Sequence, residues 1–342
     1  MRKRINNLFF IFGLVAVIVM FFSFDVSFSE LWGYIHKAGY WLVAILVLWT
    51  GLYAMNAWAW WVIIRGSGPT NISFLRLYKL TITGFALNYA TPCGLAGGEP
   101  YRIMELSRYI DARRATSSVI LFGMMHIFSH FWFWLTSIAV YLLLVAIGDL
   151  SISTTVVGVL LFASLFCCGG IYLFLQGYKN GLTVRLVRWL SKLPGLHKKG
   201  ERFLQSHIGD LKRIDQHISD LHSQNKRSFM GSLLLEYFGR ILQSFEIFFM
   251  LLLFGIDGGG TFGGYVLVFL DSFLILAFTS LFANLLGFLP MQLGGREGGF
   301  AMSVAQMGMT GGIAMFVSII CRVREFIWIC VGLALMKIFK NE

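Results

Sequence analysis

Two stretches decide the fold: Pro92-Cys-Gly-Leu-Ala-Gly-Gly-Glu99 and Pro290-Met-Gln-Leu-Gly-Gly-Arg-Glu297. Both follow the pattern Pro-x-x-Leu-[Ala/Gly]-Gly-x-Glu, and both interrupt very apolar sequence. Proline and glycine break helices, and a carboxylate is expensive in lipid. A helix break with a charge at membrane depth is tolerated only inside protein or beside a water-filled cavity. Two such breaks in one chain predict a duplicated membrane fold with a polar site between the copies, as in transporters.

Composition agrees. Of the 342 residues, 57% are hydrophobic and only 13% charged, with mean hydropathy +0.72. A soluble domain does not carry that balance, so the chain reads as an all-α integral membrane protein. The five cysteines all lie in apolar segments, without zinc-site spacing, and read as reduced core residues. The basic start Arg2-Lys3-Arg4 and the apolar residues 8–24 resemble a signal peptide. No small-x-small cleavage site follows, so this segment reads as a retained span.

Positive charge collects on the cytoplasmic side of a membrane protein. With the N-terminus inside, 23 of the 28 Lys and Arg residues fall on that side, eleven of them within 179–227. The outer loops then hold Lys37 with Asp25, Glu30, Asp149 and Asp257. The arrangement requires continuous spans at 8–24, 39–64, 116–147, 152–176, 229–255 and 312–336. It also requires each motif stretch, 72–100 and 261–309, to enter and leave on one face. The expectation is six transmembrane helices plus two oppositely oriented re-entrant hairpins, an inverted-repeat transporter with both termini cytoplasmic. Four regions follow: an N-terminal span and outer loop (1–38), a first repeat (39–177), a basic cytoplasmic segment (178–228) and a second repeat (229–342). In the third, Leu204, Ile208, Leu211, Ile214, Ile218 and Leu221 recur at spacings of three and four, which predicts an amphipathic helix. It would pack on the span ends, lie on anionic headgroups, or do both. The net charge of +11 resides mostly here and requires no nucleic acid.

Longer versions of the two motifs carry a resemblance. Gly94-Leu-Ala-Gly-Gly-Glu-Pro-Tyr-Arg102 is followed by Arg113-Arg114-Ala115. Leu289-Pro-Met-Gln-Leu-Gly-Gly-Arg-Glu297-Gly is followed by Gly308 and Arg322. Together they resemble the lysylphosphatidylglycerol synthase transmembrane-region family, the flippase-like module of the multiple peptide resistance factor. The resemblance implies a bacterial-type cytoplasmic-membrane protein that moves a lipid between leaflets. The lipid would be an anionic or zwitterionic phospholipid or a polyprenyl phosphate lipid. His126 and His130 stand where the family often carries an acidic–arginine pair. The aminoacyl-transferase domain of the resistance factor is absent from this sequence, so lysyl transfer is not implied.

The residues themselves suggest how a headgroup would be held. Gly97 and Gly98, and likewise Gly294 and Gly295, would bring backbone N–H groups at half-helix starts close to a phosphate. Arg296, Arg102 and Arg322 would grip its oxygens. Glu99 and Glu297 would pair with arginines in the empty site or bind a cationic headgroup. The alternative for both acids is a helix cap or a structural salt bridge. Asp271 and Glu325 are candidates for ion coupling. Glu236 and Arg240, four apart, suggest an internal ion pair, and His126 and His130 read as core histidines. No metal site, cofactor or nucleotide-hydrolysis motif is expected. The expected partners are membrane lipids and, optionally, further copies of the chain in a homo-oligomer. Two rival readings stay open: an intramembrane lipid-modifying enzyme, with Glu99 and His126 as acid and base, and a membrane partner of a separate lipid synthase.

Overall fold

A computed structural model describes residues 28–90, 98–180, 226–286 and 295–338, with scattered positions between 184 and 219. The first apolar stretch, most of the basic segment, Pro92, Gly97, Pro290 and Gly294 lie outside the described residues. Every element among the described residues is helical. In chain order they are α1 (Phe28–Ala38), α2 (Tyr40–Gly66), α3 (Phe74–Ala90), α4 (Gly98–Leu106), α5 (Ala112–Ala146), α6 (Thr154–Asn180), α7 (Lys226–Leu253), α8 (Phe262–Leu285), α9 (Gly295–Gln306) and α10 (Gly311–Ile338). The last residues of the two motifs open α4 and α9, and the rest of each motif lies outside the described residues.

Local chemistry sets several boundaries. Asp111 caps α5 by accepting from the Arg113 and Arg114 N–H groups at 3.0 and 3.4 Å. The Arg114 side chain then ties down the loop before α3. It donates to Ser67 Oγ (2.7 Å), Pro69 O (2.8 Å) and Ile64 O (2.9 Å), and also to Gly68 O. These bonds satisfy carbonyls that the end of α2 leaves open. Between α7 and α8 the chain reverses through Gly258–Gly260, whose φ angles are +64°, +76° and +69°. Side-chain-bearing residues rarely adopt three such angles in a row. Asp257 accepts the Gly259 N–H at 3.0 Å, and Thr261 caps α8 through Gly264 N.

Among the described residues, four helices are long and apolar enough to cross a membrane: Tyr40–Gly66, Ala112–Ala146, Thr154–Gln176 and Phe262–Leu285. The last lies within the expected second hairpin. Its 24 residues make about 36 Å of helix, enough to cross a hydrocarbon core. In the first copy, α3 has 17 residues, about 26 Å. The copies therefore have arms of unequal length. Helices α7 and α10 have 28 residues each. Their middles carry Glu236, Arg240 and Glu246, and Arg322, Arg324 and Glu325, respectively.

The packing is duplicated. Within the first set, α2 touches α3 and α5, and α4 touches α3 and α5. Within the second, α7 touches α8 and α10, and α9 touches α8 and α10. Across the sets α2 packs on α7, α3 on α10, and α5 on α8. Contacts of α2 with α10 mirror those of α5 with α7. The α3–α10 seam is close: a Cβ on Gly332 would come within 2.5 Å of Ala86 Cβ. Helix α6 stands outside this pattern, packs against α5, and exposes Leu161, Phe162 and Leu165. That is the surface of a helix facing lipid rather than water. Of the described cysteines, Cys167 and Cys321 are buried, whereas Cys168 and Cys330 are exposed, and all four are free.

Candidate functional site: a polar cavity between the two sets

The start of α4 is held from within the first set. The Gly98 N–H donates to Asn88 Oδ1 at 2.8 Å, and Asn88 Nδ2 donates to Glu99 Oε1 at 2.9 Å. Gly98 is needed for this approach, because a Cβ there would lie 2.2 Å from Gly84 O. Arg102 reaches back to Glu99 Oε1 (3.3 Å) and to Thr81 O (3.1 Å), with its guanidinium 4.6 Å from the Phe85 ring centre. A Cβ on Gly84 would collide with that guanidinium. Arg102 is buried, and its Nε and Glu99 Oε2 have no hydrogen-bond partner among the described residues.

The second break is held by ion pairs to α10. Arg296 donates to Glu325, and Arg322 donates to Glu297 Oε1 through Nε at 2.6 Å and also through Nη2. The sequence reading paired Arg296 with Glu99 or Glu297, and the structure replaces both with Glu325. Neighbouring residues on a helix point about 100° apart, so Arg296 and Glu297 face different partners. Arg322 and Glu325, three apart on α10, receive them crosswise. Arg324 extends the network to α7. Its Nε and Nη2 meet Glu246 Oε1 and Oε2 at 2.9 and 3.1 Å, and its Nη1 lies 3.5 Å from Glu325. Its guanidinium lies 3.8 Å from the Trp49 ring centre on α2.

A cavity of about 220 Å³ opens between the sets. Tyr53 of α2, Tyr89 of α3, His126 of α5, Glu236 and Arg240 of α7, and Arg296 of α9 all line it. His126 Nδ1 lies 2.7 Å from Glu236 Oε2. Arg240 donates to Ser129 Oγ (2.7 Å), His130 Nε2 (2.8 Å) and His126 O (2.9 Å). A guanidinium only donates, so His130 Nε2 is an acceptor and its ring proton sits on Nδ1. From there it reaches His126 O at 3.0 Å. Both nitrogens of His130 are thereby committed. Glu236 is buried, and its Oε1 has no hydrogen-bond partner among the described residues. Such an oxygen in a polar cavity is open to a donor from a ligand or water.

The profile of the lysylphosphatidylglycerol synthase TM region matches residues 9–334, nearly the whole chain. The chain belongs to this family. It is therefore a multi-pass membrane protein of a lipid-handling family. No curated protein and no solved structure matches it.

In this family member the residues named from sequence do not converge on one place. Arg296 lines the cavity, and Glu325 holds it there. Glu297 and Arg322 form their own pair at the start of α9, beside Gly295. Gly98, Glu99 and Arg102 form the cluster on α4, outside the cavity lining. Asp271 lies on α8, also outside the lining, with one carboxylate oxygen buried and unpartnered among the described residues. Gly97 and Gly294 lie outside the described residues. The sequence reading assigned no headgroup role to His126, Glu236 or Arg240. The available signal was their charge and polarity within apolar spans. What was missing was the contact between residues 126 and 236, which only the packing of α5 on α7 supplies.

Proposed function

We propose that this protein is a lipid flippase or scramblase that moves a phosphate-headgroup lipid, phospholipid or polyprenyl-linked, between leaflets. The observation that carries the reading is the cavity, built by both sets at their interface, with Arg240, Arg296, Glu236 and His126 on its wall. The headgroup would occupy this polar space while the tails remain in hydrocarbon. Arg296 is the phosphate-gripping residue. The clusters around Glu99 and Arg102, and around Glu297 and Arg322, set the half-helices on either side, and the glycines beside them form the rest of the headgroup site. Asp271 and Glu325 remain the proposed ion-coupling residues. The membrane is the bacterial-type cytoplasmic membrane.

The matched contacts of the two sets support an inverted repeat of six spans and two hairpins. Cysteine labelling tests this topology in a cysteine-free background. A single cysteine at Gly259 is expected to react from outside, and ones at Asn225 and Asn341 only from inside. External reactivity at Asn341 would mean that α8 crosses completely and that the hairpin topology is wrong.

Purified protein in vesicles with a fluorescent phospholipid in one leaflet tests the activity. The expected result is redistribution between leaflets with the lipid chemically unchanged. Unaltered leaflet distribution across phospholipid and polyprenyl phosphate probes would refute transport. A new lipid species made by pure protein would establish an enzyme instead.

A further inference from the structure

Two histidines stand one turn apart on α5, both on the wall of the polar cavity, and their surroundings differ. His130 accepts from Arg240 through Nε2 and spends its Nδ1 proton on His126 O. A second proton on that ring would break the Arg240 bond, so His130 stays neutral. His126 is not committed in this way. Its Nδ1 lies 2.7 Å from Glu236 Oε2, and its Nε2 makes no hydrogen bond among the described residues. The His126 side chain is 33% exposed, whereas the Glu236 side chain behind it is 2%.

The charged groups acting on His126 are Glu236 and Arg240 of α7 and Arg102 of α4. Arg240 Nη2 lies 4.0 Å from Glu236 Oε2. From the other elements, Tyr53 of α2, Tyr89 of α3 and Arg296 of α9 line the same cavity. Helix α8 brings the uncharged Thr279 and Ser280 to it, and its Asp271 lies outside the lining. Glu236 Oε1 is buried without a hydrogen-bond partner among the described residues, so this carboxylate has capacity left to balance a positive charge. A pair this close titrates as a unit. Whichever partner holds the proton between them, the next proton goes to His126 Nε2. It turns that nitrogen from an acceptor into a donor on the cavity wall, and adds one positive charge beside Arg240 and Arg296.

We propose that His126, backed by Glu236, is a proton-binding site of the headgroup cavity, and that a proton and an anionic phosphate headgroup occupy the cavity together. This rests on the transport reading and names a proton as the coupling ion, bound at a pair separate from Asp271 and Glu325. Each of the two then strengthens the binding of the other. A headgroup of single negative charge that moves with its proton carries no net charge across the bilayer. Its redistribution would follow the proton gradient and not the membrane potential.

The test uses the full-length protein in detergent with dihexanoyl-phosphatidylglycerol, a phosphodiester lipid short enough to dissolve. A phosphomonoester has a second pKa of about 6. A phosphodiester has none, so any proton taken up goes to the protein. Calorimetric titration in buffers of different ionisation enthalpy counts protons per lipid bound. Uptake should approach about one, with affinity falling up to about tenfold per pH unit as pH rises from about 6 to 8. The His126→Gln amide still meets Glu236 but takes no proton. Uptake should fall to near zero, and affinity should become nearly independent of pH. Glu236→Gln removes the carboxylate that balances an imidazolium beside Arg240 and Arg102. It should do the same, and it serves if His126→Gln does not fold. Geranyl phosphate forms a second arm, its count corrected for its own titration. Whichever probe binds with His126-dependent uptake supports the proposal and names the lipid class. Binding without uptake by the unsubstituted protein would overturn it, as would uptake that persists in either folded variant. No lipid binding at any pH would overturn it together with the headgroup site. The readout does not require transport. Linked uptake without leaflet exchange would refute the transport reading and leave the proton site standing, whereas exchange without linked uptake would do the reverse.

Discussion

Arg296→Gln is expected to slow leaflet exchange by one to two orders of magnitude while leaving the protein folded. Arg296 lines the polar cavity, and its partner Glu325 is not stranded when it goes, because Arg324 Nη1 stays 3.5 Å away. The yield and thermal midpoint should therefore remain near those of the unsubstituted protein. A hydrogen bond to a charged group contributes about 1.5–3 kcal/mol, so loss of the guanidinium should slow exchange roughly 10- to 150-fold. Arg296→Lys should recover only part of the rate, since an ammonium lacks the planar two-donor fork. Exchange rates in vesicles and thermal unfolding in detergent are measured on the same preparations. Normal exchange by well-folded Arg296→Gln protein would remove Arg296 from the headgroup site.

The largest expected effect on stability belongs to Arg324. Its side chain is 0% exposed and Glu246 only 2%, and two hydrogen bonds join them. Arg324→Met leaves Glu246 as a buried carboxylate without that partner. Breaking a buried pair from one side costs about 3–5 kcal/mol, whereas replacing both partners with apolar groups is often neutral. The single variant should give little folded protein, and the double variant Arg324→Met/Glu246→Leu should recover much of it. Size-exclusion profiles and thermal unfolding distinguish these outcomes. A single variant as stable as the parent would mean that the pair contributes nothing to holding α10 on α7.

The two Pro-x-x-Leu-[Ala/Gly]-Gly-x-Glu stretches predicted new helix starts at their glycine-glutamate ends, and α4 and α9 begin there, at Gly98 and Gly295. These features are local and follow from backbone chemistry. The Asp257-Gly-Gly-Gly turn is a local feature of the same kind. Arg114 was visible as part of a motif, but its bonds to the loop 45 to 50 residues earlier were not. The sequence offered Glu99 or Glu297 as the partner of Arg296, whereas helical phase sends Arg296 and Glu297 to different positions on α10 and Arg296 meets Glu325. The His126–Glu236 contact spans 110 residues of sequence and arises only where α5 packs on α7. Periodicity cannot report such a pairing.

The cross-helix clasp between Glu246 and Arg324 has a consequence for biogenesis. Each acidic or basic residue near the centre of a membrane helix opposes insertion by about 2.5–3.5 kcal/mol. Helix α7 carries Glu236, Arg240 and Glu246, and the residue that neutralises Glu246 is synthesised 78 positions later. During translation α7 therefore reaches the insertion machinery before its counter-ion exists. It must wait at the translocon or its margin, or enter beside already inserted α2 and α5, until α10 emerges. The clasp thus couples the placement of α7 to that of α10.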